Sequence, residues 1–261
     1  NGRWANWALG TLDGMLIEPG SVQCRKILAK RFAVMGLESE ALAIRSPPTV
    51  FTLMLLGNHE AALSRARESL AAKPENIRRL SYMGRALVSM NDIEQARPLL
   101  EDAWENNGQL VTRSQVFSQG DAAALISILR DAGDEAGVNR LLMAMRDNVQ
   151  RLRKAGIIRS GSFVSADFAE GLTLYMANER EQGLALIADA VEHGYFIPPA
   201  KFYPQALYDD PGFASILAIQ EANQAQERTR FLSIVCSDSP YEEVWQPEEG
   251  TCEQYGFEEQ N

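Results

Sequence analysis

The sequence predicts an all-α fold, a right-handed α-solenoid of antiparallel helix pairs that ends in a capping helix and an acidic C-terminal tail. Apolar residues recur every three or four positions through most of the chain, which is the period of amphipathic helices. Glycine or asparagine separates successive segments as a turn residue. Positions also repeat, since Gly57 and Asn91, like Ala62 and Ala96, are 34 residues apart. A helix pair repeated at that period buries its apolar face by stacking on its neighbours.

The most regular helix pair is predicted over residues 77–104, with the turn Asn91-Asp92 between its two helices. Its facing apolar stripes are formed by Leu80, Met83, Gly84 and Leu87 in the first helix and by Ala96, Leu100 and Ala103 in the second. Gly84 and Ala96 are small where the two helices must approach closely. This pair resembles a tetratricopeptide repeat (TPR), with Gly84 as the glycine of helix A and Ala96 and Ala103 as the paired alanines of helix B.

The TPR resemblance implies a TPR-like solenoid that acts as a non-enzymatic scaffold for protein–protein interaction. In such an array, helix A of each pair lines a concave groove, where ligands usually lie. The Lys and Asn side chains with which chaperone-binding TPR proteins hold a peptide carboxylate are not matched in this sequence. Their ligand is therefore not implied for this chain.

The N-terminal helices are less regular than the central pair. Helices are predicted over 3–16 and 22–35, and Ser21 is a plausible N-cap of the second. A short helix, ESEALAI, ends before Pro47-Pro48, because proline cannot continue a helix and also restricts the residue before it. A further short helix over 49–56 and the segment HEAALSRARESLAAKPEN form the other unit in 34-residue register.

We expect the TPR-like array to span residues 1–193, with an irregular N-terminal pair, a regular part over 43–110 and an expanded part over 111–193. The expanded part is predicted to contain a connector at 108–119, helices over 120–131 and 136–154, a loop at 155–164, and a last pair over 165–176 and 180–193. That last pair has Gly171 in helix A, and Gly183 and Ala190 at the small positions of helix B.

Residues 194–236 are predicted to form an irregular connector, rich in proline and aromatic residues, and a capping helix that starts after Asp210. The segment 206–217, ALYDDPGFASIL, resembles the short Asp-Pro-Phe-Leu ending that follows the last repeat in many bacterial TPR proteins. Such chains pair a TPR array with a membrane-anchored winged-helix regulator or a nucleotide cyclase. The resemblance implies the sensing or docking part of a larger bacterial signalling or transcription-regulatory protein.

The acidity of the chain is concentrated in the tail, residues 237–261. The formal net charge is −10, which argues against direct nucleic-acid binding by this chain. The tail contains eight acidic residues, no lysine or arginine, and four aromatic residues. One hypothesis is that it folds back on the body, where it caps the last helix or occupies the groove. The alternative is a disordered acidic tail.

Two of the three cysteines, Cys236 and Cys252, bracket a 15-residue loop. A disulfide that closes such a loop contributes about 3 kcal/mol by loop entropy, and it favours an oxidising compartment. We therefore expect a periplasmic location, with a cytoplasmic location and two free thiols as the alternative. Cys24 is predicted to be a small core residue. No run approaches the roughly 18 apolar residues of a membrane span. Because the first residue is not Met and no signal pattern follows it, we expect either a processed product or a piece cut from a longer chain.

The sequence contains no constellation that predicts catalysis. The only histidines, His59 and His193, lie far apart and have no cysteine at metal-ligand spacing. No glycine-rich phosphate loop follows a strand. We therefore expect no enzymatic activity, no metal and no cofactor.

Positions on helix A that are opposite its small residues predict a partner-binding surface in the groove. These positions are Lys26, Lys30, Phe51, Met54, Arg78, Ser81, Arg85, Arg130, Phe168 and Tyr175. Cations in an otherwise acidic protein favour an acidic, partly apolar peptide, or the chain's own tail, because guanidinium–carboxylate pairs are strong and directional. The alternative is a regulatory domain that binds a small anionic ligand in the groove. The simplest alternative is that these cations are ordinary solvated residues without a binding role.

Overall fold

The computed structural model describes residues 3–107, 115–156, 165–198, 203–237 and 239–257. Within these ranges it contains fourteen α-helices, and it confirms the predicted all-α, TPR-like fold. The helices are α1 (Arg3–Ile17), α2 (Val22–Met35), α3 (Glu38–Ala43), α4 (Val50–Leu55), α5 (His59–Ala72), α6 (Ile77–Ser89), α7 (Ile93–Asn107), α8 (Gln115–Asp131), α9 (Glu135–Lys154), α10 (Ala166–Met176), α11 (Arg180–Glu192), α12 (Gln205–Tyr208), α13 (Pro211–Val235) and α14 (Thr251–Gln254).

The helices group into two compact units. The terminal unit comprises Asn1–Leu56 and Gln220–Asn261, and the central unit comprises Gly57–Ile219. The two ends of the chain therefore belong to one unit, and α13 begins in the central unit and ends in the terminal unit. The predicted end of the repeat array at residue 193 and the predicted start of the tail after residue 236 stay predictions.

The central unit is a series of helix pairs. Helices α6 and α7, α8 and α9, and α10 and α11 pack against each other within pairs. The first helices of neighbouring pairs also contact each other, α6 with α8 and α8 with α10. Successive pairs are therefore stacked, as a repeat array requires.

The same left-handed turn closes all three pairs of the central unit. Asn91, Gly133 and Asn178 have φ values of 61°, 74° and 67°. In each turn, the amide N–H of the next residue donates to a carbonyl five residues earlier: Asp92 N to Leu87 O, Asp134 N to Leu129 O and Glu179 N to Leu174 O, each at 2.9 Å. Asparagine and glycine occupy these positions because they tolerate the left-handed region. The turn predicted at Asn91 is confirmed, and the same turn occurs at Gly133 and Asn178.

Glycines set how closely paired helices approach. A Cβ on Gly171 would lie 2.7 Å from the carbonyl oxygen of Gly183, and a Cβ on Gly183 would lie 2.7 Å from the carbonyl oxygen of Gly171. Helices α10 and α11 are therefore in backbone contact. At Gly84, by contrast, an added Cβ would meet the Leu100 side chain at 2.7 Å. The predicted need for small residues is confirmed at all three glycines.

The terminal unit is built on α2. Helices α1, α3 and α4 pack against α2, and the C-terminal part of α13 closes the unit by polar contacts. Glu227 Oε2 accepts a hydrogen bond from the amide of Ala5 at 2.9 Å. Gln224 Nε2 donates to Val34 O at 2.6 Å, and Arg228 Nη1 donates to Met35 O at 3.0 Å. The last two bonds satisfy carbonyls at the C-terminal end of α2.

The structure differs from the sequence prediction at the start of α8. We predicted a connector over 108–119, but α8 begins at Gln115; residues 108–114 lie outside the described part. The polar residue Gln119 is buried, and its Nε2 donates to Met145 O in α9 at 3.0 Å. A buried tertiary contact thus extends the helix into a stretch whose polarity indicates a loop. The predicted loop at 155–164 lies mostly outside the described residues.

Backbone contact and side-chain contact at the glycines predict different costs for an added methyl group. Gly171→Ala forces two backbones apart, so we expect a loss of about 3 kcal/mol in the free energy of unfolding. Gly84→Ala displaces the buried Leu100 side chain but no backbone atom, so we expect a smaller loss, about 1–2 kcal/mol. Urea unfolding followed by circular dichroism measures both.

Gly10→Ala is the matched control, because nothing lies within 4 Å of an added Cβ at that helical position. It should stabilise the chain by up to about 1 kcal/mol through helix propensity. Equal losses for Gly171→Ala and Gly84→Ala would contradict the backbone contact between α10 and α11.

Candidate functional site

The candidate site is the A-helix face, the surface formed by α6, α8 and α10, the first helices of the three pairs in the central unit. Asn76 caps α6, because its side chain accepts a hydrogen bond from the amide of Arg79 at 3.3 Å. From that start, the helical period brings Arg78, Ser81 and Arg85 to one side of α6. Helix α8 packs against the same helix. The exposure of these side chains therefore depends on which residues of α8 face them.

Helix α8 presents Asp121 to α6. Arg85 Nε donates a hydrogen bond to Asp121 Oδ1 at 2.6 Å, and Ser81 Oγ donates to the same oxygen at 3.0 Å. The two charged residues are buried, with 2% of Arg85 and 0% of Asp121 exposed. The other carboxylate oxygen, Asp121 Oδ2, is buried, and no hydrogen-bond donor meets it among the described residues. Removing either charge would leave the other buried and uncompensated.

Gly120 makes room for the ion pair. A Cβ at this position would lie 2.7 Å from both Nη1 and Nη2 of Arg85. A side chain there would push the guanidinium out of its position beside Asp121. Gly120 thus leaves room for the guanidinium of Arg85, and the next residue, Asp121, supplies the carboxylate that accepts its hydrogen bond.

The predicted exposure of Ser81 and Arg85 is therefore wrong. Both are buried, because α8 covers this side of α6. The helical period had identified the correct side of α6 but not what lies against it. The sequence did contain one signal for the contact, namely a glycine followed by an acid at the start of a predicted helix, directly before a run of apolar residues.

Arg130 links α8 to α10. Its Nη2 donates a hydrogen bond to the carbonyl oxygen of Met176, at the C-terminal end of α10. A cation at a helix C-terminus is favourable, because the last carbonyls carry a partial negative charge. The half-buried Arg130 therefore joins two helix pairs instead of projecting into an open groove.

Phe168 in α10 contacts the aromatic segment that follows α11. Its ring stacks on Tyr195 with centroids 4.0 Å apart, and the Tyr203 ring lies 5.3 Å away. The hydroxyl groups of Tyr195 and Tyr203 are 3.0 Å apart. Burial raises the pKa of Tyr195 well above its ordinary value and that of Tyr203 to about 12, so both phenols are neutral at physiological pH.

The aromatic segment that follows α11 therefore covers part of the A-helix face. Tyr195, Phe196, Ile197 and Tyr203 are all buried. The charge of Arg85 lowers the pKa of both Tyr195 and Tyr203, but the effect of burial, which raises it, is larger. The expected exposure of Phe168 is wrong for this reason: its partner surface is filled by the chain's own tyrosines.

Tyr175 belongs to a second polar cluster, at the start of α13. Its hydroxyl lies 3.0 Å from Ala206 O and 3.2 Å from Asp210 Oδ2. Arg180 donates two hydrogen bonds to Asp210, at 2.6 and 2.5 Å, and the amide of Gly212 donates to Asp210 Oδ1 at 2.8 Å. Asp210 is thus the predicted N-terminal cap of α13. The hydrogen bond from Arg180 is the main reason that its pKa falls to about 2.

The remaining predicted positions divide between exposed and buried. Arg78 is exposed at the start of α6. Lys26 and Lys30 are half-buried in the terminal unit, with Lys30 Nζ 5.1 Å from the centroid of the Phe51 ring. Phe51 and Met54 are buried, so their predicted exposure is wrong. They lie in α4, whose six residues are all buried, so no side of this short helix is exposed.

The described residues contain no group of three His, Cys, Asp or Glu side chains that could hold a metal ion. His193 Nδ1 lies 2.7 Å from Asp189 O in the preceding turn of helix, as a helix-end residue does. Among the helices of the described residues, none combines the length and the hydropathy needed to cross a membrane. Cys236 and Cys252 form a disulfide, with Cα atoms 5.7 Å apart.

The buried ion pair predicts a large cost for its separation. Asp121→Ala leaves the guanidinium of Arg85 buried without its carboxylate, so we expect a loss of about 3–5 kcal/mol in the free energy of unfolding. Replacing both partners, as in Arg85→Met with Asp121→Leu, should cost clearly less than the sum of the single changes. A double-mutant cycle by urea unfolding measures this coupling.

The surface pair Arg65–Glu68, with its atoms 2.7 Å apart in α5, is the matched control. Its separation by Glu68→Ala should cost about 0.5 kcal/mol or less, because exposed pairs are screened by solvent. If Asp121→Ala cost no more than Glu68→Ala, the structural role of the buried pair would be refuted.

The lowered pKa of Asp210 predicts how stability depends on pH. The pKa falls from an ordinary 3.8 to about 2 on folding, so the carboxylate contributes its full stability above pH 4 to 5. That contribution is lost as the pH falls through 3.8 toward 2. The difference in unfolding free energy between the parent chain and Asp210→Asn should shrink over this interval in urea titrations. A difference that stays constant from pH 6 to pH 2 would exclude the role assigned to Asp210.

Comparison with known families identifies one segment. Residues 53–113 match a family model described as Tetratricopeptide repeat. Neither the curated proteins nor the solved structures yield a match to this chain. The matched segment includes α5, α6 and α7, the part of the central unit in which the 34-residue period was found. This match supports a TPR protein, and TPR repeats generally mediate protein–protein interaction on a fold that is typically non-catalytic.

Proposed function

We propose that this chain is a non-enzymatic protein–protein interaction scaffold, and that it is the sensing or docking part of a larger bacterial signalling or transcription-regulatory protein. The TPR match over residues 53–113 is the main observation that supports the scaffold function. The stacked pairs α6–α7, α8–α9 and α10–α11 support it, because stacked pairs present a continuous surface. The bacterial regulatory context rests on the ending at 206–217, which resembles the ending of TPR arrays in such proteins.

We place the partner surface at the exposed N-terminal end of α6. Arg85 is bonded to Asp121 and Arg130 to Met176 O, so these cations hold the helix pairs together. Arg78 lies on the same side of α6 as Ser81 and Arg85 but remains exposed. An exposed guanidinium beside stacked repeats favours an acidic segment of a partner protein.

The alternative, a regulatory domain that binds a small anionic ligand in the groove, has less support. Arg85 is one of the cations that the sequence predicts in such a groove. The carboxylate of Asp121 balances its positive charge, and no more than 2% of its surface is exposed. An anion placed beside the pair would meet the buried carboxylate as well as the guanidinium.

We also propose a periplasmic location for this part of the protein, with the cytoplasm as the alternative. The disulfide between Cys236 and Cys252 supports it, because such bonds persist in oxidising compartments and are rare where thiols are kept reduced. Thiol titration of the protein isolated from its own cells, under denaturing conditions, distinguishes the two locations. One free thiol is expected for the periplasm, whereas three free thiols would remove this argument.

Photo-crosslinking tests the partner surface directly. A benzoylphenylalanine at position 78 should crosslink a defined protein when cells that make this chain are irradiated. The same group at Asp102, which is exposed on α7, is the control and should not crosslink that protein. Mass spectrometry identifies the crosslinked protein.

The charge of Arg78 is tested on the captured partner. Arg78→Glu should weaken binding about 10- to 100-fold, because it removes a charged hydrogen bond and adds repulsion. Arg67→Glu, at an exposed position of α5, makes the same charge change elsewhere and should leave affinity unchanged. Identical crosslinks from positions 78 and 102, or equal effects of the two reversals, would argue against this surface.

A further inference from the structure

The described part of the acidic tail after residue 238 forms a strap on the terminal unit. We define the strap as residues 239–257. Its anchor is Trp245, whose ring lies 4.9 Å from that of Phe32 in α2 and 5.7 Å from that of Phe231 in α13, measured between centroids. Phe32 and Phe231 contact each other at 5.6 Å. All three rings are buried, so the strap completes an aromatic core between α2 and α13.

Polar contacts hold the strap on both sides of Trp245. Tyr241 donates its hydroxyl hydrogen to Asp13 Oδ1 in α1 at 2.9 Å. On the other side, the amide of Glu248 donates to Glu40 Oε1 at 3.3 Å, and the Thr251 hydroxyl donates to the same oxygen. Glu40 is buried in α3, where a carboxylate needs such donors.

The charge of the strap faces outward. Its five acids, Glu242, Glu243, Glu248, Glu249 and Glu253, are exposed. One cation beneath it meets an aromatic ring, since the Arg228 guanidinium carbon lies 4.7 Å from the centroid of the Tyr255 ring. The face beneath the strap therefore selects a segment by one large aromatic side chain, by hydrogen-bond donors to Glu40 and by a ring over Arg228.

The disulfide joins the strap to the helix from which it starts. Cys236 directly follows α13 and Cys252 lies in α14, with a separation of 16 residues. The bond keeps Trp245 within a closed loop beside Phe231. Breaking it releases the strap to a larger set of open conformations, and the loop-entropy relation gives about a 100-fold increase in the open fraction.

We propose that the face of α2, α3 and α13 beneath the strap is a thiol-controlled docking surface for a tryptophan-bearing segment of a partner protein. The closed disulfide keeps the chain's own strap on this face. A dithiol reductant opens it, and the partner segment then replaces Trp245 between Phe32 and Phe231. This surface belongs to the terminal unit and does not depend on the Arg78 surface.

The opening step is a thiol–disulfide exchange. A thiolate of the dithiol attacks one cysteine sulfur, forms a mixed disulfide and releases the other cysteine as a thiolate, which takes a proton. The second thiol of the reductant then displaces the remaining cysteine. Two electrons pass to Cys236 and Cys252, and the reductant leaves as its own disulfide. Both cysteines are buried, so the strap must open locally before attack.

Hydrogen exchange on the full chain tests whether reduction of the disulfide opens the strap. After reduction by dithiothreitol, amides of the strap should exchange about 100-fold faster than in the oxidised chain, while amides of α6 and α7 keep their rates. Titration of three free thiols verifies the reduction. Unchanged strap exchange with three free thiols would overturn the proposal, and so would equally accelerated exchange throughout the chain.

A peptide probe tests the docking surface. The probe is a fluorescein-labelled peptide of residues 239–257 with Cys252→Ser, and the acceptor is the full chain carrying Trp245→Ala and Cys252→Ser, whose own strap lacks its anchor and its bond. Fluorescence anisotropy should show saturable binding to this variant and none to the oxidised parent chain. A probe with Trp245→Ala should bind at least 10-fold more weakly.

Equal binding of the probe to the oxidised parent chain would sink the proposal. Absence of binding to a variant that retains its helical circular dichroism would sink it too. If the double variant does not retain its helices, the same titration is made on the parent chain reduced by dithiothreitol, where saturable binding of the probe is expected and its absence would overturn the proposal.

Discussion

The buried ion pair between Arg85 and Asp121 determines how the central unit is assembled. It joins α6 to α8 with a hydrogen bond of 2.6 Å in a place where neither charge reaches solvent. Two neighbouring features serve it: Gly120 leaves the space that the guanidinium occupies, and Ser81 donates a hydrogen bond to the same carboxylate. Because Arg85 lies in α6 and Asp121 in α8, the ion pair joins the first helices of two neighbouring helix pairs.

This arrangement changes where function is expected. A repeat array with cations on its first helices suggests a groove open to an acidic ligand. In this chain, Arg85, Arg130 and Phe168 make contacts inside the protein, with Asp121, Met176 and Tyr195 respectively. The binding capacity that we propose therefore lies at the edge of the A-helix face, at Arg78, and on a second surface of the terminal unit beneath the strap.

The sequence predicted the helices and their turns well, because those depend on local chemistry. The 34-residue period, the left-handed turn at Asn91 and the close approach at Gly84 are all encoded by neighbouring residues. The exposure of Arg85 could not be predicted in the same way, since Asp121 is 36 residues away. Helical periodicity assigns a side chain to one side of a helix, whereas its exposure depends on which distant element packs there. The same reasoning applies to Phe168, whose tyrosine partners come from a stretch without helical period.

The exchange of arginine Nε protons with water tests directly whether Arg85 is a buried structural residue and Arg78 a surface residue. In nitrogen-15 NMR spectra, with the two signals assigned from Arg85→Lys and Arg78→Lys variants, exchange of each arginine Nε proton with water reports its burial and bonding. The account predicts that the Arg85 proton exchanges at least 100-fold more slowly than the Arg78 proton, as expected for a buried charged hydrogen bond. Equally fast exchange of the two protons would mean that Arg85 faces solvent, and it would contradict the assembly described for the central unit.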